Sequence, residues 1–358
     1  MSLLFVGDVM LGRGVGRINA HRPSGWLWEP WRNCGLSFDG VIGNLECLLT
    51  ERGRANAESA SAFRAPERLI EGSGFSALSL ANNHVRDFGD VGIEDTVAAL
   101  RRRSIQPLGV GRTALEAHQP YFVVGKDGTR VAVVAGTSMR NVIGNRGEWQ
   151  VASVESMIEH CAELGHCADV KIAFVHMGYE RVATVAPEAR NLARRLIERG
   201  FDLVVGNHAH VIQACETIGE SHAYYSLGDF VFDSRDPSRL YSLGLEASFS
   251  GGSLKQTTVL GFSKTADLRP CLADAEAAAA IRQQVESLSA QLKADKTGER
   301  FFEEASQDYL GRQWRDIKRV ARKSGIRGLV AGKLRRARLS HLRLLLCALR
   351  SSLSRTRL

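Results

Sequence analysis

Short apolar runs alternate with helix-like segments through the first two thirds of this 358-residue chain, and most of the runs end in a cluster of polar residues. Leu3–Val6, Val41–Ile42, Ala77–Leu80, Val131–Ala135, Val170–Val175 and Leu203–Val205 are short and β-branched, as strands buried on both faces are. Between them Val91–Arg103, Val154–Leu164 and Pro187–Arg199 carry helical periodicity, with Pro187 suited to a first turn and Gly200 to a stop. Such alternation predicts a layered α/β architecture. Further on, Leu243–Phe249 and Thr257–Phe262 flank Ser250-Gly251-Gly252-Ser253 and read as a hairpin, and residues 274–293 are Ala-rich and helical.

Five polar clusters follow the strands: Gly7-Asp8, Gly43-Asn44-Leu45-Glu46, Ala81-Asn82-Asn83-His84 with Asp87, His176-Met177-Gly178-Tyr179-Glu180, and Gly206-Asn207-His208-Ala209-His210. In open α/β sheets, sites assemble in the crevice beyond the carboxyl ends of strands. Asp, Glu, Asn and His supply oxygen and imidazole donors suited to Mn, Fe or Zn. Two such ions side by side can clamp the oxygens of a displacement reaction. His208 and His210 stand two apart, so in an extended segment both rings point the same way. Taken singly, Asp8 reads equally as a cap and Asn83-His84 as a loop tip. Only the ordered set makes a site. The glycine-rich stretch at 12–17 has neither phosphate-loop spacing and is set aside.

The run Gly7-Asp8-Val9-Met10-Leu11-Gly12-Arg13, the triplet Asn44-Leu45-Glu46, Ala81-Asn82-Asn83-His84 with Asp87 and Gly89, and His176-x-Gly-x-Glu180 resemble the CapA-type (poly-γ-glutamate capsule synthesis) family. So do Gly206-x-His208-x-His210-Val211 and Tyr225-Ser226-Leu227-Gly228-x-Phe230-Val231-Phe232. That family belongs to the calcineurin-like metallophosphoesterases, and the resemblance implies a four-layer α/β/β/α sandwich. It implies Asp8 and His210 on a first divalent ion, Glu46 between two ions, and Asn83, His176 and His208 on the second. His84 would then be the acid for the leaving group and Asp87 its orienting partner. Arg13, Glu180 and Asp229 would face the substrate. Three positions depart from the pattern: Met10 stands where the wider superfamily has His, Asp229 where the family has Asn, and Ala209 where Pro is usual.

The net charge of +8 divides unevenly along the chain. Residues 311–358 carry 15 Lys+Arg and one acid, Asp316, whereas the other 310 residues carry 32 basic and 38 acidic groups. In that basic tail Leu339, Leu342, Leu346, Leu349 and Leu353 form one helical stripe, which suits an anionic membrane surface, a protein partner or the protein's own core. Nucleic acid fits poorly, because no aromatic residue follows Trp314. Seven Cys without a C-x-x-C pair suit a reducing compartment. An acid already at Asp8 argues against a signal peptide.

The expectation is therefore a metallophosphoesterase-like domain over residues 1–265 and a helical, Arg-rich appendage over 266–358. Its activity would be metal-dependent hydrolysis of a phosphoester or related anionic linkage, on an anionic polymer or phosphorylated substrate of capsule synthesis. The expected location is cytoplasmic, with peripheral attachment to the inner face of the membrane open. Two alternatives stand: a non-catalytic, polymer-holding component of a synthesis assembly, and γ-glutamyl amide chemistry.

Overall fold

Two mixed sheets stack face to face in the computed structural model, which describes residues 1–56, 61–143, 147–164, 167–234, 236–309 and 311. In chain order their strands are β1 (Ser2–Val9), β2 (Gly40–Leu45), β3 (Ala77–Ser79), β4 (Gln106–Leu108), β5 (Tyr121–Val124), β6 (Arg130–Thr137) and β7 (Val170–His176). They continue with β8 (Leu203–Asn207), β9 (Cys215–Ile218), β10 (Ser221–Tyr224), β11 (Asp229–Val231), β12 (Tyr241–Ser250), β13 (Ser253–Lys264) and β14 (Pro270–Leu272). The first sheet runs β14-β13-β12-β1-β2-β3-β4, with β11 pairing the end of β1, and the second runs β9-β10-β8-β7-β6-β5. The strands β1 to β4 are parallel to one another, as are β6, β7, β8 and β10.

Side-chain alternation along the strands builds the layers. Leu3 and Phe5 enter the core between the sheets, where Phe5 meets Phe174 at 6.0 Å between ring centroids. Leu4 and Val6 turn outward to join Ile93, Val97 and Leu100 of α1 (Gly89–Arg101). Behind the second sheet, Ala173, Val175 and Val204 pack on Met157 and Ile158 of α2 (Val154–Leu164) and on Ala189, Ala193 and Leu196 of α3 (Pro187–Glu198). Helix, sheet, sheet, helix is the predicted α/β/β/α order. Each fully buried Phe or Leu contributes ~1.5–3 kcal/mol. The central strands therefore form a firm base for the loops at their carboxyl ends.

Two glycines let the backbone close up just before the polar clusters. A Cβ on Gly7 would fall 1.8 Å from Gly228 O, and one on Gly206 would fall 2.1 Å from Tyr225 O. Without side chains there, Asp8 N donates to Gly228 O at 2.9 Å.

The expected boundary at residue 265 does not coincide with a break in packing. β14 pairs with β13, and α4 (Ala275–Ala294) sends Ile281 and Val285 into the core between the sheets. Residues 299–309 are helical and bury Phe301 and Ala305 behind the second sheet. Glu304 accepts from Ala183 N at 2.6 Å and from Thr184 N at 3.0 Å. Small residues let α4 lie close to the sheet, with Ala278 against Gly261. The leucine stripe and most of the arginine-rich tail lie outside the described residues. Among the described residues, no helix is long and apolar enough to cross a membrane.

Candidate metal centre

The five clusters converge at one end of the sandwich. Asp8 lies near the end of β1, Glu46 directly after β2, Asn83 and His84 after β3, His176 at the end of β7, and His208 and His210 after β8. Asp229 opens β11 and pairs in register with Asp8. Asp8, Glu46 and Asp229 are wholly buried, and His176, His208 and His210 nearly so.

His176, Asn83 and Glu46 form one half. His176 Nε2 lies 2.8 Å from Asn83 Oδ1 and 3.5 Å from Glu46 Oε1. The His208 ring stands 4.5 Å from that of His176, and Glu46, His176 and His208 together can hold an ion. The other half centres on His210. Its Nδ1 lies 2.9 Å from Asp229 Oδ1 and 3.2 Å from Asp8 Oδ2, while its Nε2 stands 3.6 Å from Glu46 Oε2. Asp8, His210 and Asp229 make a second ion-holding group, and Glu180 with His208 and His210 a third. Both oxygens of Glu46 are buried without a hydrogen bond. A buried carboxylate left so costs several kcal/mol unless a cation answers it. The mixed oxygen and imidazole donors fit a divalent ion.

The paired histidines reach the cavity by a route the sequence did not disclose. They were expected on an extended segment, but β8 ends at Asn207, and His208 and His210 adopt left-handed φ values of 97° and 59°. Such backbone costs ~1–3 kcal/mol per residue and persists where surrounding structure enforces it. Here Ala209 O accepts from Arg181 N at 2.7 Å, and His208 N donates to Asp8 Oδ2 at 3.3 Å.

Electrostatics split the imidazoles. Burial pushes His176 well below its usual 6.5 and His208 down to about 4, so both rings stay neutral with a lone pair to offer. Burial also opposes charge on His210, but Glu46 and Asp229 outweigh it and hold that ring well above 6.5. Burial raises Glu46 well above the ordinary carboxylate value, with His210 opposing. Asp229 is buried too, yet His210, Arg239 and Lys264 keep it below 3.8.

His84 lies beside this cage. Its Nδ1 is 2.8 Å from Asp87 Oδ2, and its ring stacks on Phe63 at 4.1 Å. Asp87 Oδ2 also accepts from Phe63 N at 2.7 Å, so one carboxylate fixes both stacked partners. Arg13 is half-exposed, pairs with Asp233 at 3.2 Å and lies over the Phe63 ring. Asp229, expected to face the substrate, is instead buried within the donor cage.

Residues 2–234 match the family model described as "Bacterial capsule synthesis protein PGA_cap". The chain belongs to this family. Two curated relatives are each 26% identical: the PGA biosynthesis protein CapA of Bacillus subtilis (strain 168) over 241 residues, and the capsule biosynthesis protein CapA of Bacillus anthracis over 248. Each match covers 65% of this chain, and 63% and 60% of those relatives respectively, so the chain spans less than two thirds of their length. A solved structure, the calcineurin-like phosphoesterase YfkN from Bacillus subtilis, aligns with 82% of this chain and 98% of its own at 14% identity and a TM-score of 0.43.

Several residues around this centre were not singled out as site residues from sequence. Asn44 Nδ2 reaches both Asp8 Oδ1 at 2.7 Å and His176 Nδ1 at 3.2 Å, tying the two halves together. Asn82 Nδ2 donates to Asn44 Oδ1 at 3.2 Å. Both lie in the polar clusters, which was the available signal. Arg239, whose Nε is 2.7 Å from Asp229 Oδ2, and Lys264, whose Nζ donates to Asp229 O at 3.0 Å, lie outside every motif. Burial draws Lys264 down to about 8.

Proposed function

We propose that this chain is a hydrolase that uses one or two divalent ions (Mn, Fe or Zn) on a phosphoester or related anionic linkage in making or processing a capsule polymer. The observation that carries this reading is the fully buried Glu46 carboxylate, which accepts no hydrogen bond and stands between His176 at 3.5 Å and His210 at 3.6 Å. Asp8 and His210 would hold one ion, Asn83, His176 and His208 the other, with Glu46 shared. When bound, such ions supply Lewis-acid polarisation and a nucleophile at neutral pH.

The chain's own residues supply the rest. Arg13, half-exposed at the rim, draws in and orients an anionic group. His84, as general acid, gives a proton from Nε2 to the departing oxygen while Nδ1 stays on Asp87. The stack with Phe63 restricts the ring's rotation, so the proton is delivered from a fixed position. Glu180, grouped with His208 and His210, adds an acceptor on the substrate side. The family description and the names of the two Bacillus relatives support a setting in capsule synthesis, with an anionic polymer as the natural substrate class.

The test is hydrolysis of generic phosphomonoesters and phosphodiesters by chelated and Mn-reconstituted protein. Activity that appears with the ion and disappears in His84→Ala supports the reading. Protein that binds the ion but turns over neither class supports a polymer-holding role instead.

A further inference from the structure

We propose that Asp229 is the positioning residue of His210, the one imidazole grouped with Asp8 among the described residues: it anchors the ring through Nδ1 and so aims Nε2 towards Glu46. This inference rests on the metal-centre reading above. Asp8 and Asp229 share a group with one imidazole, His210, whose Nδ1 stands nearer to Asp229 Oδ1, at 2.9 Å, than to Asp8 Oδ2, at 3.2 Å. Met10, two residues after Asp8, is fully buried in the outer core among apolar side chains and offers no hard donor there. The orientation of one ring therefore decides whether the first site can form.

Asp229 is built for that task. Its Oδ1 lies 2.9 Å from His210 Nδ1, and its Oδ2 lies 2.7 Å from Arg239 Nε, so each oxygen has one dedicated partner. Arg239 is in turn fixed, with its guanidinium 4.4 Å from the centre of the Phe232 ring. Lys264 Nζ binds the main-chain oxygens of both residues, Asp229 O at 3.0 Å and Arg239 O at 2.6 Å. Phe232 also packs edge-on against the His210 ring at 4.9 Å. The His210 ring, at left-handed φ, is thus gripped at Nδ1 while Nε2 faces Glu46 Oε2 at 3.6 Å. A carboxylate on the far nitrogen of a ligating imidazole fixes its tautomer and raises its basicity, and removing one typically costs ~10–100-fold in metal affinity.

The experiment is Mn titration by calorimetry of the full chain and its variants, with a structure of the Mn-loaded protein. Asp229→Ala is expected to weaken one class of site ~10–100-fold and leave the other unchanged. Asp229→Asn, which still offers an acceptor to Nδ1–H, is expected to recover most of that loss. If Asp229→Ala does not fold, Arg239→Lys and Asp229→Asn carry the test, and Arg239→Lys is expected to weaken the same class alone. Equal weakening of both classes, or wild-type affinity in Asp229→Ala, overturns the proposal. So does a Mn ion bonded to Asp229 itself, which would make it a ligand. Wild-type protein that binds no Mn removes the metal-centre reading and this inference with it, whereas two bound ions with an unaffected Asp229→Ala remove only the inference.

Discussion

Glu46 Oε2 and His210 Nε2, both buried, stand 3.6 Å apart with no hydrogen bond between them. That gap is long for a hydrogen bond. It suits two donors on one ion, which at bonds of ~2.1 Å stand ~3.0–3.6 Å apart for angles between right and trigonal. Glu46 Oε1 and His176 Nε2 repeat the relationship at 3.5 Å on the other side. One carboxylate thus addresses both halves of the cage.

Ion binding should therefore stabilise the fold through Glu46. At ~100 times its dissociation constant, an ion that binds only the folded state adds ~2.7 kcal/mol. Thermal melts with and without Mn should show that gain in the wild type and less than half of it in Glu46→Gln. An equal gain in both proteins would mean that the carboxylate does not meet the ion.

Metal uptake should release protons. His210 is held well above 6.5 by Glu46 and Asp229, so at about pH 7 the metal-free cage retains a proton on that ring that an ion must displace. Affinity should rise with pH and weaken as pH falls below the raised His210 value. Calorimetry in two buffers of different ionisation enthalpy checks this: the observed heats should differ in the direction of proton release, and identical heats contradict it.

His84 should matter for turnover and not for the ions. It pairs with Asp87 and stacks on Phe63, outside the three ion-holding groups. His84→Ala should lower kcat ~10²–10⁴-fold, as loss of a general acid does. Bound metal should be unchanged, and the defect should shrink for substrates whose leaving group needs no proton. A matching loss of metal would instead place His84 in the cage.

Away from the site, Glu216 should contribute stability with a defined pH window. Burial alone would raise its pKa, but Arg190, Arg194 and Tyr225 outweigh it and bring the group down to about 2. Arg190 approaches at 2.7 and 2.9 Å, Arg194 at 2.9 Å, and the Tyr225 hydroxyl donates at 2.9 Å. A lowered folded-state value stabilises above the unfolded value of ~4.3 and is lost as pH falls towards 2. Urea denaturation should find Glu216→Gln less stable than wild type at neutral pH, with the difference closing across that window. A pH-independent difference would assign the effect to packing.

Much of this was legible in the sequence because strand and polar cluster are adjacent in the chain. Apolar residues from Leu3 to Val6 predict β1, and Asp8 follows within two positions; His176 follows Val170–Val175 in the same way. Asn44 could be seen in its cluster, but its role as the bridge between Asp8 and His176 depends on strands from different sheets meeting. Arg239 and Lys264 were not legible, since a turn and a hairpin strand carry them to Asp229 only through the register of the first sheet. The left-handed turns at His208 and His210 were hidden too, because neither residue is one that favours such backbone as glycine does. The docking of the Ala-rich helix was not legible for a related reason: it depends on the groove the helix meets, here at Gly261.

A working divalent-metal centre built from these buried side chains is what the proposed function requires. Its most direct test is the Mn, Fe and Zn content of the purified full chain, measured beside phosphoester hydrolysis for wild type, Asp8→Ala and His176→Ala. About one or two ions per wild-type chain are expected, with metal and hydrolysis falling together in both folded variants. Wild-type protein that stays free of metal and inactive after Mn reconstitution would contradict it.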